Sequence, residues 1–400
     1  MRKNRYIKRE LEAKIKKLVK SFPAIVLTGP RQSGKSTTLR RLFGETHQYV
    51  TFDDPVGRAK CQEDPKLFLD NLEENVILDE IQYVPKILSY IKMAIDEDRK
   101  KTGRFIITGS QQFNLIKDLG DTLAGRAALL TLLPFNYLEI RNTVKTTNAE
   151  NIFIRSCLRG SYPELMVSPK IDPSEWYAGY MQTYLERDVR GLHNVGNLSE
   201  FQRFIQLLAA RCAQTINLSS YASDLGVAVN TIKNWLSILA ASQIIFFLYP
   251  YYRNIGKRLI KSPKIYFNDC GLISYLTGLK TKEHILSGPL AGHLFENYVV
   301  SETNKILTGK GDVPRLYYIR TSKGEEIDLI IEKESRLYPY EIKLTKTPRR
   351  AMFAAIENLG SQIKGIDIAA GGLICLIKDK FPLTKNINAF NMIDYFKGIK

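Results

Sequence analysis

Between residues 22 and 140, short apolar runs alternate with longer stretches in which apolar residues recur every three or four positions. Runs of the first kind read as buried strands, and stretches of the second kind as helices laid against them. The pattern predicts strands at 24–28, 49–52, 75–78, 104–108 and 127–133, the last closed by Pro134, with helices at 35–42 and 85–96. Strands separated by helices of this length predict a parallel sheet covered on both faces. From 141 the pattern turns helical, most clearly at 176–188 and 199–211. Residues 218–239 read as helix, tight turn at Gly226, helix. A strand at 244–249, a basic loop with Arg253, Lys257, Arg258, Lys261 and Lys264, and a strand at 264–267 follow. After 284 the order is helix 291–307, strands 316–320, 326–332 and 338–343, and helix 349–359. These shifts predict four regions, 1–140, 141–198, 199–283 and 284–400, with no internal repeat.

The string Gly29-Pro-Arg-Gln-Ser-Gly34-Lys35-Ser36 matches G-x-x-x-x-G-K-[ST] between a predicted strand and a predicted helix. Glycines there let backbone N–H groups turn toward phosphates, and the helix N-terminus adds its positive end. Gly29, Pro30, Arg31, Gln32, Ser33, Gly34, Lys35, Ser36 and Thr37 are therefore expected to hold ATP. Lys35 would reach the β and γ phosphates, and Ser36 would ligate Mg²⁺. Val76-Ile-Leu-Asp79-Glu80 is an apolar strand ending in two acids. Such acids are commonly a solvated strand boundary. Beside a phosphate loop, Asp79 is expected to hold the magnesium through water and Glu80 to polarise the attacking water. The strand at 104–108 runs into Gly109-Ser110-Gln111. Ser110, with Thr108 second, is the candidate γ-phosphate sensor, against the reading of a plain turn. Arg126 is a candidate arginine finger or sensor, against that of a surface arginine.

The second helix of the 218–239 pair would expose Asn230, Thr231, Lys233 and Asn234 while Ile232, Trp235 and Leu236 face inward. Polar groups placed so, beside a basic strand-loop-strand wing, suit base edges and phosphates of DNA, although such modules also bind proteins. Further on, Glu325-Glu-Ile-Asp328 and Tyr340-Glu341-Ile-Lys343 have the pattern of a PD-(D/E)xK nuclease. Strand alternation puts Glu341 and Lys343 on one face. Asp328 and Glu341 are expected to bind Mg²⁺, Lys343 to activate water, and Glu296 to add a ligand. Exposed strand charges, or a nuclease fold that has lost activity, are the alternatives.

Composition adds a partner class. The formal net charge of +17 and pI near 9.5 favour a polyanion, of which nucleic acid is the commonest. The basic N-terminal stretch, with Ile7, Leu11, Ile15, Leu18 and Val19 at helical spacing, reads as a solvated amphipathic helix or as part of such a patch. Five scattered cysteines without metal-ligand spacing predict reduced thiols and a cytoplasmic protein. No apolar run is long enough to suggest a membrane span.

Taken together, Leu27-Thr-Gly-Pro-Arg-Gln-Ser-Gly-Lys-Ser36, Ile77-Leu-Asp-Glu-Ile-Gln82 and Ile107-Thr-Gly-Ser110 resemble one known group. Leu123-Ala-Gly-Arg126, Arg159-Gly-Ser-Tyr-Pro163, Tyr184-Leu-Glu-Arg-Asp188, Phe267-Asn-Asp-Cys-Gly-Leu272 and Phe295-Glu-Asn-Tyr-Val299 extend the likeness along nearly the whole chain. The group is that of bacterial and archaeal AAA-type ATPases with a C-terminal domain of unknown function and restriction-endonuclease-like core. The resemblance implies an α/β P-loop NTPase (AAA-type) parallel sheet, ATP hydrolysis, and a homo-oligomer or shared interfaces. Joined to the readings above, the expected architecture adds a helical lid, a winged helix and a C-terminal α/β restriction-endonuclease-like domain. The expected function is ATP turnover coupled to an act on DNA, cleavage included. A nucleotide-switched DNA-binding regulator and a P-loop kinase or transferase are the rivals.

Overall fold

Strand β1 (Ala24–Thr28) is buried along its length, and its side chains part by alternation. Ala24 and Val26 join one apolar cluster, Ile25 and Leu27 another. A strand buried on both faces needs a layer on each side. On one face lie Leu11 and Ile15 of the N-terminal segment, with Leu39. On the other, the helix Ile87–Glu97 buries Ile87, Leu88, Ile91 and Ile95. Each such side chain contributes about 1.5–3 kcal/mol when fully buried. A computed structural model of the chain describes residues 6–109, 123–143, 146–185, 198–252, 261–320, 325–362 and 367–399.

With β1 run β2 (Gln48–Thr51), β3 (Val76–Asp79), β4 (Phe105–Gly109) and β5 (Ala127–Thr131), in the order β2-β3-β4-β1-β5. Every pairing is parallel. The carboxyl ends of β1, β3 and β4 thus lie side by side, where ligands of open α/β sheets bind. Two helices between β2 and β3, Pro55–Glu63 and Pro65–Asp70, were not legible from apolar spacing. Their signal is capping: Asp54 and Asp64 accept N–H bonds ahead of a proline in the first turn.

A nine-stranded sheet carries the rest. It contains β6 (Ile245–Pro250), β7 (Lys264–Phe267), β8 (Leu316–Arg320), β9 (Glu326–Lys333), β10 (Arg336–Ile342), β11 (Asp367–Ile368), β12 (Gly371–Cys375), β13 (Phe381–Pro382) and β14 (Ile387–Asn391). The strands follow β13-β14-β12-β10-β9-β8-β6-β7, and β11 pairs with β10. Tyr249 and Pro250 of β6 pair in parallel with Tyr317 and Tyr318 of β8. The boundary expected at 283/284 therefore falls between strands of one sheet. Among the described residues no helix is long and apolar enough to cross a membrane.

Candidate functional site

The phosphate loop leaves β1 at Gly29 and ends where the helix Lys35–Phe43 begins. Gly29 has φ +152, and a Cβ there would lie 2.2 Å from the Leu132 carbonyl oxygen. Gly34 takes φ +92 just before the helix. Side chains are excluded at the first by contact and disfavoured at the second by conformation. Lys35 is buried, and its ammonium donates to the carbonyls of Gly29 (2.9 Å) and Pro30 (3.0 Å). An ammonium has three donors, so these two bonds aim it along the loop.

Asp79 at the tip of β3 is 3% exposed. Tyr49 donates to one carboxylate oxygen at 2.5 Å, and the Thr108 hydroxyl donates to the other. Thr108, expected as a second-choice sensor, thus orients Asp79. Its oxygen also accepts the Glu80 N–H at 3.2 Å. Glu80 has φ 58, an uncommon backbone for a non-glycine residue. Its carboxylate accepts a hydrogen bond from the Gln82 side-chain amide. Burial and the Asp79 charge raise the Tyr49 pKa, so the phenol stays a donor. The Ser36 hydroxyl and the Asp79 carboxylate form an all-oxygen donor set, which fits Mg²⁺.

A cavity of about 450 Å³ opens over this loop. Gln32, Gly34, Lys35, Ser36, Thr37 and Glu80 line its polar end. Ile7, Phe135, Pro163 and Val167 supply apolar wall. Gly29, Pro30 and Ser33 shape the loop from behind, and Arg31 is half-buried. The cavity wall thus draws on the N-terminal segment and on the helix Pro163–Val167, neither part of the loop motif. Arg9 lines it too. Arg9 was missed in the sequence because a lone arginine in a basic stretch gives no local signal.

Two expected residues are not brought here. Ser110 lies outside the described residues. Arg126 stands just before β5, at the opposite end of the sheet from the phosphate loop, since Ala127 pairs with Ala24. Its guanidinium grips Asp96 with two bonds of 2.8 Å. Arg126 and Arg99 together hold the Asp96 carboxyl down to about 2. To act on a neighbouring subunit, Arg126 would have to leave Asp96.

The helices Leu218–Leu225 and Val229–Ala241 meet at a turn through Gly226. Asn230, Lys233 and Asn234 are exposed and Thr231 is half-exposed, while Ile232, Trp235 and Leu236 are buried. Trp235 packs on Phe201 and Phe204. Of the expected basic loop, Arg253, Lys257 and Arg258 lie outside the described residues and Lys261 is exposed. Lys264 is not a surface cation: it is 3% exposed and bridges Glu296 (2.8 Å) and Glu326 (2.5 Å). Hydrophobic neighbours Ile265 and Phe267 conceal that role in the sequence.

Asp328, Glu341 and Lys343 do converge. The Lys343 ammonium lies 2.8 Å from Asp328 and 2.9 Å from Glu341, and the Ile342 N–H donates to Asp328 at 2.9 Å. Glu296, the expected fourth member, instead accepts from Lys264 and, at 2.6 Å, from Tyr266. Burial, reinforced by Asp328 and opposed by Lys343, pushes the Glu341 carboxyl up to about 9. Burial likewise lifts Glu296 to about 7 against the pull of Lys264. Asp328 is held below its ordinary value, because Lys343 and Lys264 outweigh its burial. Ammonium groups thus contact all three acids. Among the described residues no group of three His, Cys, Asp or Glu could hold a metal. In this arrangement Asp328 and Glu341 meet at Lys343, while Glu296 is held by Lys264 and Tyr266 instead.

A family model described as an AAA domain matches residues 21–141. Two models described as domains of unknown function match 150–283 (DUF8612) and 291–395 (DUF4143). An uncharacterized protein of Mycobacterium tuberculosis is 32% identical over 386 residues, covering 96% of this chain and 83% of its own length. The chain belongs to the family of that mycobacterial protein. With its AAA domain, it is an ATPase of the AAA/P-loop type. An uncharacterized protein of Methanocaldococcus jannaschii is 23% identical over 84% of this chain and 79% of its own length. Among solved structures, the Walker-type ATPase of Pyrococcus abyssi aligns with a TM-score of 0.48 and 16% identity, over 69% of this chain and 97% of that one.

Proposed function

We propose that this ATPase couples its nucleotide cycle to DNA binding through the helix Val229–Ala241. Lys35 and the loop N–H groups would hold the phosphates, and Ser36 and, through water, Asp79 would hold the magnesium. Bound magnesium would neutralise charge on the β and γ oxygens. Glu80, beside the same cavity, accepts the proton of the attacking water. The observation that carries the DNA reading is the exposed row Asn230, Lys233 and Asn234 on a helix whose opposite face is buried. Those are side chains able to reach base edges and phosphates. The net charge of +17 supplies the long-range attraction.

The test is ATP hydrolysis with and without duplex DNA over a salt series. The expected result is stimulation that fades as salt rises, with binding weakened in Lys233→Ala and a shallower salt dependence. Absence of DNA binding at low salt, or identical binding by Lys233→Ala, would contradict the reading. Cleavage by the C-terminal region is the second reading, favoured by the convergence of Asp328, Glu341 and Lys343. Nicking of duplex, single-stranded or branched DNA that stops in chelator and in Asp328→Ala would establish it. The self-paired lysines make a non-cleaving C-terminal region the better supported outcome.

A further inference from the structure

Arg9 is 4% exposed, although it lies in the basic N-terminal stretch ahead of the AAA match. Its guanidinium is fixed in three directions. One nitrogen donates to the Ser33 carbonyl of the phosphate loop at 2.9 Å. A second donates to the Leu133 carbonyl beyond β5 at 2.6 Å, and Nε pairs with buried Glu139 at 2.9 Å. The guanidinium also stacks over the Phe135 ring, 4.6 Å from its centroid. The Arg9 main chain is itself held, its N–H donating to Glu12 at 2.7 Å.

The Ser33 carbonyl belongs to the same planar peptide as the Gly34 N–H, and in a trans peptide the two point in opposite directions. Fixing that carbonyl therefore fixes the N–H of the glycine that opens the helix. That group is one of those a phosphate loop turns to its ligand. On its far side the loop abuts Leu132, whose N–H bonds the Thr28 carbonyl at 2.8 Å. The loop is thus clamped between β5's exit segment and Arg9.

We propose that Arg9 is a positioning residue for phosphate binding, bracing the Ser33–Gly34 peptide so that the loop's N–H groups meet a di- or triphosphate. The proposal rests on the ATPase reading of the loop. A lysine could keep the charge but not the three-way fork. A brace of this kind acts mainly on the phosphates; the base would meet the cavity's apolar wall, which Arg9 touches through Phe135.

The test is calorimetric affinity for ATP, ADP and adenosine (the last by competition) in wild type, Arg9→Ala and Arg9→Lys, alongside the unfolding midpoint of each. ATP and ADP are expected to bind roughly tenfold more weakly to Arg9→Ala, the effect of one charged hydrogen bond. Adenosine should weaken much less than ATP, and Arg9→Lys should recover less than half of the loss. Unchanged ATP affinity, or an equal loss for adenosine, would overturn the proposal. Should Arg9→Ala fail to fold, Arg9→Lys decides by the same contrast between ATP and adenosine. Wild-type protein that binds no ATP would overturn the ATPase reading and this proposal with it, a result distinct from equal binding by wild type and variant.

Discussion

At the tip of β3 the Asp79 carboxylate is held by the hydroxyls of Tyr49 and Thr108. On β9 and the end of β10, the carboxylates of Asp328 and Glu341 are held by the ammonium of Lys343. Both centres join strand acids to a lysine, and in both the acids Asp79, Asp328 and Glu341 are buried, whereas Lys343, unlike Lys35, is partly exposed. They differ in what fixes each charge. Neutral dipoles orient Asp79 and leave its charge for an incoming cation. At the same centre the Lys35 ammonium donates to two loop carbonyls. In the second centre, Lys343 and Lys264 already contact the acids around them, and burial keeps a proton on Glu341. Residue types alone make the two look alike; the pairing separates a site built for a ligand from one closed on itself.

The sharpest way to break this contrast is Lys264→Ala. Removing one member of a buried ion pair costs roughly 3–5 kcal/mol, because the partner is left charged and unpaired or forced to take up a proton. The buried partner here is Glu296; Glu326 is more exposed. Denaturant unfolding should show that loss, while folded variant keeps wild-type ATP affinity. A loss under about 1 kcal/mol, the scale of a surface pair, would mean that the cluster is solvated and open after all.

Next in size is Glu80→Gln. The amide keeps the shape and cannot take a proton, so turnover should fall about a hundredfold or more while ATP still binds. Wild-type turnover would move the base elsewhere and leave the first centre without its expected chemistry.

The most gradual effect, spread over several pH units, is on pH dependence. Glu341 is raised from 4.5 to about 9, so the folded state holds its proton where the unfolded chain has lost it. Its contribution to stability is complete below about pH 4.5 and is lost progressively up to about 9. Glu296 acts in the same sense up to about 7. Stability should therefore decline from pH 5 to 9, with a ceiling of about 1.4 kcal/mol per pH unit for one proton. Glu341→Gln should flatten the decline between pH 7 and 9. An unchanged slope in that variant would assign the titration to another group.

What the sequence disclosed follows from distance along the chain. The phosphate loop is contiguous, and its flanking strand and helix announce themselves by apolar spacing, so Gly29 to Thr37 and the acids at the end of β3 were legible. Tyr49 and Thr108 reach Asp79 from neighbouring strands, a relation visible only once the sheet order is known. Arg9 meets Glu139 across 130 residues, and Lys264 meets Glu296 across 32. No local pattern marks either. The motifs around Ser161 and Asp269 could be quoted but not explained. In the fold, Asp269 accepts both the N–H and the hydroxyl of Ser161 at 2.7 Å, which joins them as one packing contact. Likewise β6 joins β8 in parallel across a helical region, so one sheet spans the boundary read at 283/284, where one family match ends and the next soon begins.

The measurement that tests the contrast most directly is Mn²⁺ binding followed by loss of its free electron-spin-resonance signal, with and without ATP. The expected result is tight binding only when ATP is present, abolished in Lys35→Ala and unaffected in Asp328→Asn. Tight Mn²⁺ binding without nucleotide that disappears in Asp328→Asn would contradict the account, and would make the C-terminal cluster a metal centre.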